Sequence, residues 1–462
     1  MSSISEIPSA ATSIASAPVP AEPTPTTLPV DIDGNSYSLI PNHHFPTFID
    51  PITGSTTFLA TEQFAPGVDT LVRCSLLPEE KLDQILEEYS KEGREEYGGV
   101  EISEVSFQRF KNNEDRTFVA EFDEGVLTGV FDGHVGDQAS SYAYSVFPSL
   151  LASALSSAIR ASPNSSEAIS SALSSAFTSF DASIGSAVLQ LFDSKPIDEW
   201  EEAEVKEVLK ENNEVVRRAM AGTTALVAFV PKGGKEVWVA GVGDCQGFLG
   251  RKVGEEWTAT PLNEEHNGKV KSEVERLNQE HPGESETVVT KGRVLGSIAI
   301  TRAFGDFPFK FPASFTHRIF QHATPPFERF FKLSVCLSNS FTPPYISATP
   351  SITHHSLLPG DIILLASDGL SDSGLVGEKL SSERKAKFFK ALAKGDEMEF
   401  LEDVAREVGH GILKGVGGNR ARRVLENVLW GTDRERKAFQ LTAELPEGGL
   451  LQDDISVVVI KV

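Results

Sequence analysis

The residues of this sequence best placed for chemistry are acidic side chains at the ends of short apolar runs. Asp132 follows Val130-Phe131 and precedes Gly133-His134, and Asp244 ends the run 239–243. Asp368 ends the run 362–367, and Asp453-Asp454 precedes the run 455–459. Glu114-Asp115 lies in a polar stretch upstream of them. Taken singly, Asp-Gly after a strand is first a turn signal, because glycine accepts positive φ and Asp caps nearby amides. Gathered at one site, such carboxylates repel and raise one another's pKa, so the cluster calls for cations. Oxygen donors without paired His or Cys favour Mg²⁺ or Mn²⁺ over zinc or copper. Gly133 has no Cβ, so backbone can approach an ion there and its carbonyl is a candidate ligand. His134 is a candidate for proton transfer; the alternative is a structural histidine.

The elements that must position these groups are legible in the pattern. Apolar runs at 126–131, 224–230, 237–242, 361–365 and 455–462 are expected strands. Ile169, Leu173, Phe177, Phe180 and Ile184 recur at helical spacing, as do Leu82, Ile85, Leu86 and Tyr89, which predict a helix over Glu79–Tyr89. Residues 193–214 are acidic, with a thin stripe of Val205, Val208 and Leu209, and are expected to form a solvated helix. Strands cluster in two regions separated by helices, which favours an α+β layered fold over a doubly wound one. Residues 1–35, rich in Ser, Pro, Ala and Thr, read as a disordered tail before one domain spanning 36–462. The Phe-crowded segment 307–341 has neither period; it reads as an irregular insertion or as a basic flap carrying Lys310, Arg318, Arg329 and Lys332.

Composition narrows the function classes. The chain of 462 residues carries 42 Lys and Arg against 66 Asp and Glu, a formal charge of −24. That balance opposes sequence-independent nucleic-acid binding and docking on anionic membrane, both of which need cationic surface. Cys74, Cys245 and Cys336 are too few and too scattered for a disulfide framework or a zinc knuckle. No apolar run approaches the ~20 residues of a membrane helix, so no membrane span is expected. No Lys or Arg precedes Arg73, so no secretory or matrix-targeting signal is visible and a cytoplasmic or nuclear location is expected.

Taken together, seven blocks resemble the metal-dependent protein phosphatases (protein phosphatase type 2C), in that family's order, from about residue 101 to 462. They are Asn113-Glu114-Asp115-Arg116; Val130-Phe131-Asp132-Gly133-His134; Gly222-Thr223-Thr224-Ala225; the run 239–244; Arg293-Val294-Leu295-Gly296 with Thr301-Arg302-Ala303-Phe304-Gly305-Asp306; Ala366-Ser367-Asp368-Gly369-Leu370; and Asp453-Asp454-Ile455-Ser456-Val457. The resemblance implies a central β-sandwich of two antiparallel sheets flanked by helices, with a two-ion site at one end. Carried over, Asp132 would bridge two Mg²⁺ or Mn²⁺ ions. Asp368 and Asp453 would complete one, and Glu114 with the Gly133 carbonyl would hold the other. Asp115 would orient coordinated waters, while Asp244, Asp368 and Asp372 would form a weaker third site. The implied reaction is hydrolysis of phosphoSer or phosphoThr by a water activated between two metals, with His134 protonating the leaving oxygen.

Within the family, residues 259–267, Glu273-Val274-Glu275-Arg276-Leu277, His281-Pro282-Gly283-Glu284 and Thr342-Pro343-Pro344-Tyr345 look most like the pyruvate dehydrogenase phosphatase branch. That branch implies the first component of pyruvate dehydrogenase as a substrate and a mitochondrial location as the alternative to the cytoplasmic one. The sequence departs from the family at three places. Many members have a phosphate-gripping Arg four residues before the metal-binding Glu, where Phe110 stands here; Arg109, one residue earlier, could serve instead or be a surface residue beside Lys111. Ser371 replaces a usual Trp, and Cys245 replaces a common Ser as a small packing residue. A pseudophosphatase scaffold is the rival from another class, opposed by the full carboxylate set; a two-metal nuclease is opposed by the acidic charge.

Overall fold

The computed structural model describes residues 28–32, 35–40, 47–49, 56–65, 68–109, 111–163, 165–253, 256–331, 338–373, 419–430, 433–444 and 453–462. Alternation of apolar side chains along the strands builds two antiparallel sheets. One has five strands in the order Ser351–Ser356, Glu236–Val242, Ala225–Pro231, Gly125–Phe131 and Arg116–Phe122. The other has six, in the order Glu256–Pro261, Gln246–Val253, Ile362–Ala366, Ile455–Lys461, Val100–Phe107 and Ser90–Tyr97. Period two sends successive residues to opposite faces. Leu226, Ala228 and Val230 of one sheet therefore share a buried core with Ile363, Leu365, Val458 and Ile460 of the other. The intervening residues face outward, where helices cover them.

Outside the first sheet, Ala225, Val227 and Phe229 pack with the helices Gln138–Ala161, Ser166–Leu191 and Glu202–Met220. Outside the second, Val457 and Val459 pack with the helices Glu79–Tyr89, Arg420–Leu429 and Arg434–Thr442. The fold is α+β, as the residue pattern implied, and a β-sandwich flanked by helices, as the resemblance implied. The helix Ser166–Leu191 buries all five residues of its sequence stripe, and the Ser165 side chain caps it by accepting from the Ala168 N–H. Phe147 stands against Phe131, Phe177, Phe180 and Phe304 with ring centroids 4.8–6.3 Å apart. Burying such a ring contributes about 2 kcal/mol before pairwise aromatic gains.

Several expectations change. The helix expected over 193–214 runs instead over Glu202–Met220. A reciprocal Glu201–Glu204 capping box sets its start, and Val216, Ala219 and Met220 bury its second half, so it is a core helix. The helix Gln138–Ala161 is long and apolar enough by length and composition to cross a membrane, although no continuous apolar run marks it in the sequence. Its Ala143, Phe147, Leu151 and Leu155 are nevertheless committed to the core.

Residues 1–27 lie outside the described residues. The strand Leu28–Ile32 falls inside the expected tail and pairs with Asn35–Ile40 in a five-stranded antiparallel sheet that reaches Ser75. The described part of the Phe-rich segment is not a free flap: Phe307, Phe309, Phe320 and Phe327 belong to the main core. The Lys310 side chain is 6% exposed and pairs with Asp181 at 2.8 Å, whereas Arg318 and Arg329 are exposed. Lys332 and Cys336 lie outside the described residues.

Candidate metal and phosphate site

Strand register carries the acidic residues to one end of the sandwich. In the first sheet Arg116 pairs with Phe131 and Ala225 with Val242, so Asp115, Asp132 and Asp244 leave their strands at the same edge. In the second, Gln246 pairs with Ala366, Ala366 with Val457, and Ile455 with Phe107, which brings Asp368 and Asp453-Asp454 to that edge too. The Asp132 carbonyl is fixed by the Thr224 N–H at 2.8 Å and the Thr223 hydroxyl at 3.0 Å. Gly133 has to be glycine: a Cβ there would lie 2.4 Å from the Glu114 carbonyl oxygen and 2.7 Å from the Ser140 hydroxyl. That close approach holds the Gly133 and Glu114 backbones side by side.

The electrostatics are those of crowded anions. Burial, then the charges of Asp115, Asp368, Asp244 and Asp453, push the Asp132 carboxyl well above the usual carboxylate range. Asp115 is pushed up to about 8, first by burial and then by Asp454. Neither Asp115 oxygen completes a hydrogen bond among the described residues, although the Ser367 and Ser456 hydroxyls approach it. Burial also raises Glu114, whose backbone N–H donates to Asp454 Oδ2 at 2.7 Å. Among the described residues no three His, Cys, Asp or Glu side chains already close into a metal cage. The donor set still fits a hard divalent cation, because buried carboxylate oxygens without donors are what such an ion satisfies.

His134 lies on a three-stranded strip formed by Gly133–His134, Gly222–Thr223 and Phe304–Gly305. Its Nε2 is 2.9 Å from Asp306 Oδ2. Burial opposes charge on the ring, but Asp306, Asp244 and Glu114 outweigh it and raise its pKa. Arg109 is engaged elsewhere: its Nη1 donates to the Ala443 carbonyl at 3.0 Å and its guanidinium lies 6.0 Å from the Tyr89 ring centre. Lys111 instead stands at the acidic edge, 2.9 Å from Asp453 and 3.5 Å from Asp454. Burial works against its charge, and the two aspartates more than offset that and raise its pKa. Asp372 falls in the short helix Asp368–Ser373, and its side chain lies outside the described residues. Cys245 is buried against the Thr224 hydroxyl at 3.0 Å, in keeping with a packing role.

Sequence reading gave no role to Lys111 or Asp306, and it named Asp454 only together with Asp453. Asp454 is 3% exposed and accepts from Gln108 Nε2 at 2.7 Å, whereas Asp453 beside it is half open to solvent. The usable signal for Lys111 was its place in the loop before Glu114; for Asp306 it was its place at the end of the block 301–306.

The chain is a two-sheet sandwich whose acidic residues stand at one end of the strands, and comparison with known proteins gives its family. The family described as Protein phosphatase 2C matches residues 99–374, more than half of the chain, and the chain belongs to that family. It is similar to the mitochondrial [pyruvate dehydrogenase [acetyl-transferring]]-phosphatase 1 of Bos taurus, 30% identical over 283 residues that cover 54% of this chain and 48% of that protein. It is also similar to a protein phosphatase 2C homolog of Schizosaccharomyces pombe, 29% identical over 253 residues covering 52% and 53% of the two chains. A solved serine-threonine phosphatase 2C from Toxoplasma gondii aligns over 80% of this chain and 98% of its own, at 15% identity and a TM-score of 0.45. The chain spans about half the length of the curated relatives it matches.

Proposed function

We propose that this protein is a metal-dependent protein serine/threonine phosphatase. The observation that carries the reading is the convergence of Glu114, Asp115, Asp132, Asp244, Asp368 and Asp453 at one sandwich edge in a chain of this family. Asp132, Asp368 and Asp453 would hold one Mg²⁺ or Mn²⁺, and Asp132, Glu114 and the Gly133 carbonyl the other; Asp244, Asp368 and Asp372 would form a weaker third site. Bound ions would acidify a coordinated water and offset charge on the transferring phosphoryl group. The chain's own residues do the rest. Asp115 accepts hydrogen bonds from water at the site, and His134 supplies the proton that the departing Ser or Thr oxygen needs. Lys111 pairs with Asp453 at the acidic edge whereas Arg109 is turned to the Ala443 carbonyl, so Lys111 is better placed than Arg109 to meet a phosphate.

The finer reading is a phosphatase acting on pyruvate dehydrogenase. It is supported by the relatives' names and by the Glu273-to-Leu277 and His281-to-Glu284 blocks, and with it comes a mitochondrial location. Hydrolysis of a phosphoSer peptide with Mn²⁺ tests the general reading, and Asp132→Asn should lose nearly all of the rate. A rate at background with either ion would leave the pseudophosphatase scaffold standing. Phosphorylated pyruvate dehydrogenase and an unrelated phosphoprotein, assayed side by side, test the finer one; equal rates would refute it. Imaging the tagged protein decides the compartment.

A further inference from the structure

The resemblance accounts for His134 but not for what lies behind it. His134 and Asp306 are 172 residues apart in sequence, and their side chains meet across the middle strand of the three-stranded strip. His134 pairs with Gly222 and Gly222 with Gly305, so Asp306 is the next residue beyond the partner strand. The contact depends on Gly222. A Cβ there would lie 2.2 Å from both His134 Nε2 and Asp306 Oδ2, so the two side chains occupy the space that any larger residue would fill.

Asp306 is wholly buried and adopts a left-handed backbone, φ 53°, uncommon for a residue with a Cβ. Its N–H donates to the Ala221 carbonyl at 3.0 Å. One residue back, the Gly305 N–H donates to Asp181 Oδ1 at 2.9 Å. Asp181 is in turn gripped by Lys310, whose ammonium also donates to the Ala303 carbonyl, each at 2.8 Å. The start of the Phe-rich segment is thus the mount that fixes Asp306. A strained, buried carboxylate braced from both sides and aimed at one imidazole is costly unless it has a task.

We propose that Asp306 is a positioning residue that holds Nε2–H of His134, leaving Nδ1 as the nitrogen that protonates the leaving oxygen. This rests on the phosphatase reading. As the P–O bond breaks, its electron pair passes to the Ser or Thr oxygen, which takes the Nδ1 proton. The attacking water forms the new P–O bond, keeps one hydrogen on the phosphate and releases the single proton that restores Nδ1. Asp306 keeps its hydrogen bond throughout and exchanges no proton. An alkoxide leaving group needs this help, whereas p-nitrophenolate, a far weaker base, needs little.

The first test is the ring ¹⁵N spectrum of histidine-labelled protein, with His134→Gln to assign the signal. Nε2 should carry the proton in the neutral wild-type ring, and Asp306→Asn should change its shift or tautomer; an Nδ1–H tautomer in the neutral wild type would overturn the proposal. The second is the rate with Mn²⁺ on a phosphoSer peptide and on p-nitrophenyl phosphate. Asp306→Asn should lose on the order of 100-fold on the peptide and at least tenfold less on the aryl ester. In a His134→Gln background it should add little further loss, since the two residues act as a unit. Equal losses on both substrates, or a full additional loss in that background, would overturn the positioning role. If melting shows that Asp306→Asn is unfolded, Gly222→Ala, which crowds the same pair, must show the leaving-group split. A wild type with no metal-dependent turnover refutes the phosphatase reading itself, and the ring spectrum still decides on the pair.

Discussion

Replacing Glu273 by Gln removes one charge from the centre of a buried clamp. Its carboxylate accepts from the Thr301 hydroxyl at 2.6 Å, from Arg276 at 2.8 Å and from Arg302 Nε at 3.1 Å. Burial works to raise its pKa, yet Arg302, Arg276 and Thr301 bring it down from 4.5 to about 2. At about 1.4 kcal/mol per unit, that is roughly 3 kcal/mol of preference for the ionised form. The Glu273 side chain is 4% exposed, but Arg276 and Arg302 are 21% and 15% exposed, so solvent reaches the pairs from one side. With screening allowed for, Glu273→Gln should cost about 2 kcal/mol at pH 7. Urea unfolding followed by tryptophan fluorescence measures this. The folded-state pKa is depressed, so the stability is fully present above pH 4.5 and is lost as pH falls toward 2. The gap between wild type and variant should therefore shrink by about half by pH 3. A gap below 0.5 kcal/mol at pH 7, or one that does not change with pH, would refute the clamp.

Other outcomes follow from the same structure. Phe320→Ala should cost about 3–5 kcal/mol in urea unfolding, because Phe320 is fully buried in the main core; a cost below about 1 kcal/mol would restore the flap reading of its segment. His266 is held neutral by burial and by Arg302 and Arg276, with its pKa lowered to about 4. Its contribution is present above pH 6.5 and lost as pH falls toward 4, so His266→Gln should flatten the acid limb of a stability–pH curve between those values. Mn²⁺ at 100 times its dissociation constant should stabilise the protein by about 2.7 kcal/mol, and EDTA should reverse the rise in melting temperature. Asp132→Asn should lose that rise, and an identical rise in the variant would argue against Asp132 as a ligand.

What the sequence determined by itself is what local chemistry writes. Period-two runs mark strands, helical stripes such as Ile169 to Ile184 mark core helices, and acidic residues stand where strands end. These signals survive because each depends on neighbours within a turn or a strand. The Glu202–Met220 boundary was missed because a capping box and a tertiary interface, not the acidic composition, set it. The same limit holds at the site. Asp132, Asp244, Asp368 and Asp453 were legible because each stands at the end of an apolar run, and Glu114-Asp115 joined them through the family blocks; sheet register is what brings these strand ends to one edge. Lys111 with Asp453, Arg109 with Ala443, and His134 with Asp306 join residues 342, 334 and 172 positions apart. No local pattern encodes such partners; packing brings them together, and packing therefore decides which cation faces the acids and which carboxylate holds the histidine.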